Sequence, residues 1–158
     1  MSDLVNILFL CTGNSARSIL SEALLNDLGE ERFRAFSAGS QPSGVPHPDS
    51  LAELRRRGHA TEGYRSKSWD VFLGDNAPAF DIVVTVCDSA AAEICPAFHG
   101  PGLRVHWSAP DPAHIEDDAA RRRAFSDVYD LCRSRIEALI ALPQAALTDR
   151  QAVQAIAQ

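Results

Sequence analysis

The most reactive residue pattern in this chain joins a cysteine to an arginine across a short polar segment. Cys11 and Arg17 are separated by five residues, and Ser18 follows the arginine directly. A cysteine thiolate is a strong nucleophile, and the planar guanidinium of an arginine can hold two oxygens of a tetrahedral anion at once. The pattern therefore predicts that Cys11 attacks an oxyanion that Arg17 holds.

The residues between Cys11 and Arg17 have the composition of an anion-binding loop. A short polar loop that leads into a helix points its backbone N–H groups inward, and the helix dipole adds positive potential there. Gly13 and Asn14 suit the unusual backbone angles of such a loop. The alternative is a buried structural cysteine that ends a strand before an ordinary turn. The expected anion-binding residues are Thr12, Gly13, Asn14, Ser15, Ala16 and Arg17.

The same loop is expected to make Cys11 acidic. Cysteines at helix N-termini typically have a pKa of about 3.5–7.5, because positive potential stabilises the thiolate. Ser18 can donate a hydrogen bond to that thiolate and lower the pKa of Cys11 further.

Strands alternate with helices on both sides of this loop. Apolar runs predict strands, and apolar residues at helical spacing predict helices. The strands are expected at 5–10, 33–37, 81–86 and 103–107, and the helices at 16–28, 49–57 and 119–142. The alternation predicts a single-domain α/β fold with a doubly wound, four-stranded parallel sheet flanked by helices. Cys11, Cys87 and Asp111 each follow a predicted strand, so they should meet at the ligand-binding end of the sheet.

Length and charge narrow the classes of partner. The 158 residues fit one domain with its own core. The formal net charge of −6 and the shortness of the basic runs argue against a nucleic-acid partner. The first residues do not resemble a signal peptide, and the longest apolar runs are too short to span a bilayer. We therefore expect a cytoplasmic protein without a membrane partner.

Four cysteines are present, at positions 11, 87, 95 and 132. Cytoplasmic cysteines are normally reduced, and these have no spacing typical of zinc ligands. Cys132 occupies a core-like position in the last long helix, so we expect it to serve packing. The remaining thiols are candidates for redox chemistry.

The residues from Ile7 to Ser18 resemble the signature of the low-molecular-weight tyrosine phosphatase superfamily. Within it, the sequence is more similar to the arsenate reductases that share the fold. The resemblance covers residues from about 5 to about 140, with further matching motifs at Ser37-Ala38-Gly39, Thr85-Val86-Cys87-Asp88, Cys95-Pro96, His106-Trp107 and Asp111-Pro112. It implies a phosphatase-like arsenate reductase domain over residues 1–143, followed by a C-terminal tail over 144–158.

The resemblance also implies a mechanism. Cys11 would attack arsenate (phosphate and sulfate being mimics), and Asp111 would protonate the leaving oxygen as a general acid. Cys87 would then attack the sulfur of Cys11 and release arsenite, and Cys95 would take over the disulfide from Cys87. Catalytic roles thus fall on Cys11, Arg17, Ser18, Cys87, Cys95 and Asp111. Thioredoxin, or glutathione with glutaredoxin, would reduce the final disulfide, and no tightly bound cofactor is expected.

Some relatives bind potassium beside the loop. The matching side chains here are Asn14, Glu22, Ser37 and Asp70. An equally open alternative is a simple hydrogen-bond network that ties the first helix to the loop.

A disulfide between Cys87 and Cys95 requires these two residues to come close together. Seven residues separate Cys87 from Cys95, and the segment between them is helix-prone. A helix would hold the thiols roughly 12 Å apart along its axis. A disulfide needs Cα atoms within about 7 Å of each other, so we expect this segment to bend or unwind.

Two departures from the reductases bear on the electron donor. Related thioredoxin-linked enzymes usually have six residues between these cysteines, and they often have a cysteine at the position of Ala16. Glutathione and glutaredoxin therefore stay open as the donor.

Two other functions also stay open. One is a phosphatase acting on phosphotyrosine or simple phosphate esters, although the aromatic residues that phosphatases carry after Asp111-Pro112 are absent here. The other is an oxyanion or thiol-redox sensor without turnover.

Overall fold

The computed structural model describes residues 4–93 and 95–157. Four strands alternate with helices along the chain. The strands are β1 (Val5–Leu10), β2 (Phe33–Ala38), β3 (Ile82–Thr85) and β4 (Leu103–His106). The helices are α1 (Arg17–Leu28), α2 (Pro48–Arg56), α3 (Asp88–Ala92), α4 (Asp118–Ala141) and α5 (Arg150–Ala155), with 3₁₀ turns at Trp69–Phe72 and Gln144–Thr148.

The sheet has the order β2-β1-β3-β4, and all of its strand pairs are parallel. Chain order reverses beside β1, because β2 and β3 flank it on opposite sides. Ligands of doubly wound sheets bind beyond the strand ends at such a switch point. The loop from Cys11 to Ala16 begins there, so the predicted fold and the predicted position of the loop are both confirmed.

β1 lies at the centre of the core because both of its faces are apolar. Ile7 and Phe9 point into the main core, which α1 and α4 cover, while Leu8 and Leu10 point into a smaller core on the other face. Alternate side chains of a strand face opposite sides of a sheet, so an uninterrupted apolar run fits a strand that is covered on both. The doubly covered strand holds the start of the loop rigidly.

The C-terminal segment packs on the edge of the sheet. Leu147 and Val153 are buried in the main core, and the indole N–H of Trp107 donates to the carbonyl of Val153 at 3.0 Å. The side chain of Gln154 accepts from the N–H of His106 at 2.7 Å and donates to its carbonyl at 2.6 Å. Residues 144–157, expected to form a tail of unassigned role, therefore protect an exposed strand edge.

No helix within the described ranges 4–93 and 95–157 is both long and apolar enough to cross a bilayer.

Candidate active site

The loop after β1 turns its carbonyl groups outward. Thr12 O accepts from the N–H of Gln41 at 3.0 Å, and Gly13 O accepts from the N–H of Ser43 at 3.0 Å. Ser15 O accepts from the N–H of His47 at 3.0 Å. In the part of the chain that the structure describes, no backbone N–H of residues 12–17 donates to a backbone carbonyl. These groups therefore remain available to an anion.

Asn14 supplies the unusual backbone angle of the loop. Its φ is +47°, and its side chain is fully buried. Asparagine tolerates this left-handed conformation better than most residues. Gly13 was expected to share that role, but it has no positive φ, and a Cβ there would meet only Ser15 Oγ, at 3.7 Å.

Gly39 has a role that its motif did not reveal. A Cβ at this position would lie 2.7 Å from the carbonyl oxygen of Cys11 and closer still to that of Thr12. Only a glycine lets the end of β2 pack directly against the backbone of the loop.

Cys11 lies at the base of the loop with 4% of its surface exposed. Its Sγ is 2.9 Å from Ser18 Oγ, and the backbone N–H groups of Ser18 and Asn14 also face it. Burial raises the pKa of the Cys11 thiol above its ordinary value, although these hydrogen bonds oppose the rise. The direction is opposite to the expected lowering, because removal of the thiol from water outweighs the hydrogen bonds that it accepts.

Within the described part of the chain, the guanidinium of Arg17 has one nitrogen with a hydrogen-bond partner and one without. Its Nη1 donates to the carbonyl of Ala109 at 3.0 Å. Its Nε is buried, yet it has no hydrogen-bond partner among the described residues. A buried N–H without a partner is costly, and an oxyanion oxygen would satisfy it. Arg17 is thus oriented to hold an anion over Cys11.

Asp111 lies across the cleft from the loop. Its Oδ2 is 3.8 Å from Arg17 Nη2 and 3.3 Å from His114 Nε2. Its Oδ1 accepts from the N–H of Ala113 at 2.9 Å, in a turn that Pro112 helps to fix. The carboxyl is about one third exposed (34%), so it can exchange protons with solvent.

The cleft itself has a volume of 620 Å³. Cys11, Arg17, Cys87 and Asp111 all line it. The structure thus brings together the predicted nucleophile, the predicted anion clamp, the second predicted redox thiol and the candidate acid.

Cys87 follows β3 and lines the same cleft as Cys11. Its Sγ lies 3.8 Å from Thr12 Oγ1 on the loop, and it accepts from the N–H of Ala90 at 3.4 Å as the N-cap of α3. Only 3% of its surface is exposed. Cys87 therefore reaches the same site as Cys11, as predicted from its position after a strand.

Cys95 is not brought to the cleft. It packs against the smaller core on the other face of the sheet, and its thiol contacts the guanidinium of Arg104. α3 ends at Ala92, and Glu93 is already extended, with ψ of 149°. The expected helix between the two cysteines is therefore shorter than predicted. Ile94 lies outside the described residues.

Glu93 ties this segment to the loop. Thr12 Oγ1 donates to Glu93 Oε1 at 3.3 Å. Sequence reasoning missed this contact, and no local pattern could have indicated it, because the two residues are 81 positions apart. It also missed Lys67, whose backbone N–H donates to Asn14 Oδ1 at 2.9 Å.

The candidate potassium residues are only partly assembled. Asn14, Glu22 and Ser37 form one buried hydrogen-bonded group, but the side chain of Asp70 is exposed. Over the described residues, no three His, Cys, Asp or Glu side chains are grouped closely enough to hold a metal ion.

Comparison with known proteins supports the geometry. The family described as low molecular weight phosphotyrosine protein phosphatase matches residues 6–153. An arsenate reductase of Halalkalibacterium halodurans is 35% identical over 132 residues, covering 83% of this chain and 91% of the relative. An arsenate reductase of Bacillus subtilis is 32% identical over 119 residues, covering 75% of this chain and 82% of the relative.

Solved structures share the fold of this chain. A thioredoxin-dependent arsenate reductase of Corynebacterium glutamicum gives a TM-score of 0.63 at 26% identity, and the match covers 86% of this chain but 60% of that protein. A low molecular weight phosphotyrosine phosphatase of Vibrio cholerae gives a TM-score of 0.67 at 22% identity, and the match covers 86% of this chain and 94% of that protein. At this identity the match shows a shared fold and no more. With the loop, the fold and a match over residues 6–153 in agreement, the chain belongs to the low molecular weight phosphotyrosine protein phosphatase family, and its relatives there include proteins named arsenate reductase.

Proposed function

We propose that this chain reduces arsenate to arsenite with a cysteine relay. The observation that carries the proposal is the shared cleft of Cys11 and Cys87, which lies beside the unpartnered Nε of Arg17. Hydrolysis of a phosphate ester requires one thiol, whereas reduction requires a second thiol to supply electrons. The relatives named arsenate reductase at 32–35% identity support the same conclusion.

In the first step, the anion sits in the loop and Cys11 attacks arsenic as a thiolate. The inward N–H groups and Arg17 stabilise the charge on the oxygens. A sulfur–arsenic bond forms, and one oxygen leaves as water after it takes a proton from Asp111. Burial raises the pKa of the Cys11 thiol, and an oxygen of the bound anion is a suitable acceptor for the thiol proton.

In the second step, Cys87 attacks Cys11 as a thiolate. The Cys11–Cys87 disulfide forms, the sulfur–arsenic bond breaks, and the electron pair of that bond reduces arsenic from the +5 to the +3 state. Arsenite then leaves the loop. Cys95 next attacks Cys87, so that Cys11 is released as a thiolate and a Cys87–Cys95 disulfide remains.

An external thiol system closes the cycle by reducing that disulfide. Thioredoxin is one candidate donor, since one structural relative is named thioredoxin-dependent, and glutathione with glutaredoxin is the other. Such donors are abundant in the cytoplasm, which is the location we propose for the protein.

Arsenite production from arsenate tests the proposal, with the thioredoxin and glutaredoxin systems supplied separately. Cys87→Ser should abolish turnover while leaving slow hydrolysis of p-nitrophenyl phosphate intact. Cys132→Ala is the matched control, because that buried thiol lies outside the cleft and should leave arsenate turnover intact.

The second candidate is a phosphatase acting on simple phosphate monoesters. Cys11, Arg17 and Asp111 face one cleft, and these three are sufficient for ester hydrolysis. Brisk ester hydrolysis that Cys87→Ser does not change, with no arsenate turnover from either donor, would favour this function over the reductase.

A further inference from the structure

A lysine and a glutamate lie together beneath the anion loop. Lys67 Nζ is 4.0 Å from Glu22 Oε1, and each side chain is 13% exposed. Lys67 Nζ also donates to the carbonyl of Arg65 at 2.9 Å. Burial lowers the pKa of Lys67 and raises that of Glu22, and in each case the charge of the other opposes the shift. The attraction between the two charges therefore favours the ionised form of each group, and the nearby guanidinium of Arg65 also lowers the pKa of Glu22.

Glu22 is connected to the nucleophile through hydrogen bonds. Ser37 Oγ donates to Glu22 Oε1 at 2.5 Å. Asn14 Nδ2 donates to Ser37 Oγ at 2.9 Å and to Ser18 Oγ at 2.8 Å. Ser18 Oγ in turn contacts Cys11 Sγ at 2.9 Å.

The side-chain amide of Asn14 determines which atom donates in each of these hydrogen bonds. The amide orientation of Asn14 is fixed, because its Oδ1 accepts the backbone N–H of Lys67. Its two N–H groups are then directed at the two serine oxygens. The hydroxyl of Ser18 therefore donates its hydrogen bond to Cys11, and the hydroxyl of Ser37 donates to Glu22. An ionised Glu22, which can only accept, keeps the chain in this direction.

The residues do not fit the potassium site that the family resemblance implies. The amide oxygen of Asn14 already accepts from Lys67, and the amide turns its N–H groups toward the serines. Asp70 is exposed, and an ammonium group faces Glu22. A monovalent cation needs oxygen ligands that are free, and Asn14 Oδ1 and Glu22 Oε1 already have partners.

We propose that the ammonium group of Lys67 is a built-in cation that replaces potassium in this chain. It keeps Glu22 ionised and so orients Ser18 as a hydrogen-bond donor to Cys11. Lys67 is thus a positioning residue, which acts on the nucleophile through Glu22, Ser37 and Asn14. The inference concerns Cys11 whichever oxyanion it attacks, so its test needs no turnover.

The test compares the wild type with Lys67→Gln, which keeps the side-chain length and removes the charge. Lys67→Arg restores the charge, and Arg34→Gln removes an exposed positive charge elsewhere as the matched control. Two readouts are used. One is the pH dependence of Cys11 alkylation by iodoacetamide, resolved from the other thiols by peptide mass spectrometry. The other is Tm in potassium chloride and in choline chloride at equal ionic strength.

The wild type should show the same Tm and the same alkylation midpoint in both salts. Lys67→Gln should move the Cys11 midpoint upward by about one pH unit, which is about a tenfold loss of alkylation rate below the midpoint. Lys67→Arg should recover part of that loss, and Arg34→Gln should match the wild type.

A wild-type Tm or Cys11 midpoint that rises specifically with potassium would overturn the proposal, and this comparison needs no variant to fold. An unchanged midpoint in folded Lys67→Gln would overturn it as well.

Discussion

Cys11 shows how opposing effects act on a single thiol. Burial raises its pKa, while hydrogen bonds from Ser18 and from backbone N–H groups lower it. Its position after a strand and before a helix could be predicted from the sequence. The direction of the net shift in its pKa could not be predicted, because that shift depends on how completely the folded chain excludes water from the loop.

Replacing Ser18 with alanine should make Cys11 less acidic. The serine is the largest of the effects that lower the pKa of Cys11, so its loss leaves burial less opposed. A hydrogen bond to a charged group contributes about 1.5–3 kcal/mol, which corresponds to a rise of about one to two pKa units. The pH profile of Cys11 alkylation measures this rise. Ser21→Ala is the control, since Ser21 donates to Arg17 O and not to Cys11; equal profiles for the two variants would contradict the assignment.

Substituting Gly39 should damage anion binding without touching a catalytic side chain. In Gly39→Ala the added methyl group would collide with the carbonyls of Cys11 and Thr12, so the loop must move. We expect phosphate affinity to fall at least about tenfold and stability to fall by about 1–3 kcal/mol. Calorimetric titration and urea unfolding measure the two effects.

Gly74→Ala provides the comparison, because a Cβ there meets nothing within 4 Å. If both alanine variants bound phosphate equally well, the close packing of Gly39 would have no functional role.

At the scale of elements, the segment from α3 to Cys95 is the part that the proposed relay requires to rearrange. Cys87 faces the cleft and Cys95 faces the other side of the sheet. α3 has only five residues, and a hydrogen bond from Thr12 to Glu93 joins its end to the loop. Short helices of this kind depend on their surroundings for stability, which suits a segment that unwinds during a reaction cycle.

Oxidation should therefore expose the backbone of this segment. When Cys87 and Cys95 join, the α3 hydrogen bond from the N–H of Ala91 to Cys87 O should break. Hydrogen exchange across residues 88–95 should become faster in the oxidised form than in the reduced form, while exchange in α4 stays unchanged. Identical exchange in both forms would mean that the relay operates without unwinding.

The elements also show what sequence patterns can predict. The four strands and the long helices follow from apolar periodicity, which depends on local composition. The position of Cys95 does not, because Cys95 follows the end of a five-residue helix whose length no periodicity defines. Lys67 lies far along the chain from Glu22, so its pairing could be seen only in the folded structure.

At the scale of the whole molecule, the C-terminal segment closes one edge of the sheet. The sequence places the end of the domain at residue 143, because the family resemblance ends at about residue 140. Nothing in the local pattern beyond it indicates that Val153 enters the core or that Gln154 pairs with the backbone of His106. Long-range packing of this kind is decided by shape, and sequence periodicity does not report it.

Shortening Val153 should therefore destabilise the whole domain. Val153→Ala removes a fully buried side chain from the main core, at a cost of about 1–3 kcal/mol in the free energy of unfolding. Gln151→Ala, on the exposed face of α5, is the matched control and should change it by less than about 0.5 kcal/mol. Urea titration measures both variants; equal stability would show that α5 is not part of the cooperative unit.

The central claim is that one chain reduces arsenate with its own thiols before any donor acts. A single-turnover experiment tests this most directly: fully reduced protein is mixed with arsenate in the absence of an external thiol, and arsenite and disulfides are measured together. The proposed relay predicts arsenite in an amount stoichiometric with the protein, together with a Cys87–Cys95 disulfide found by peptide mass spectrometry. Absence of arsenite, with all four cysteines still reduced, would contradict the relay and leave the phosphatase function in its place.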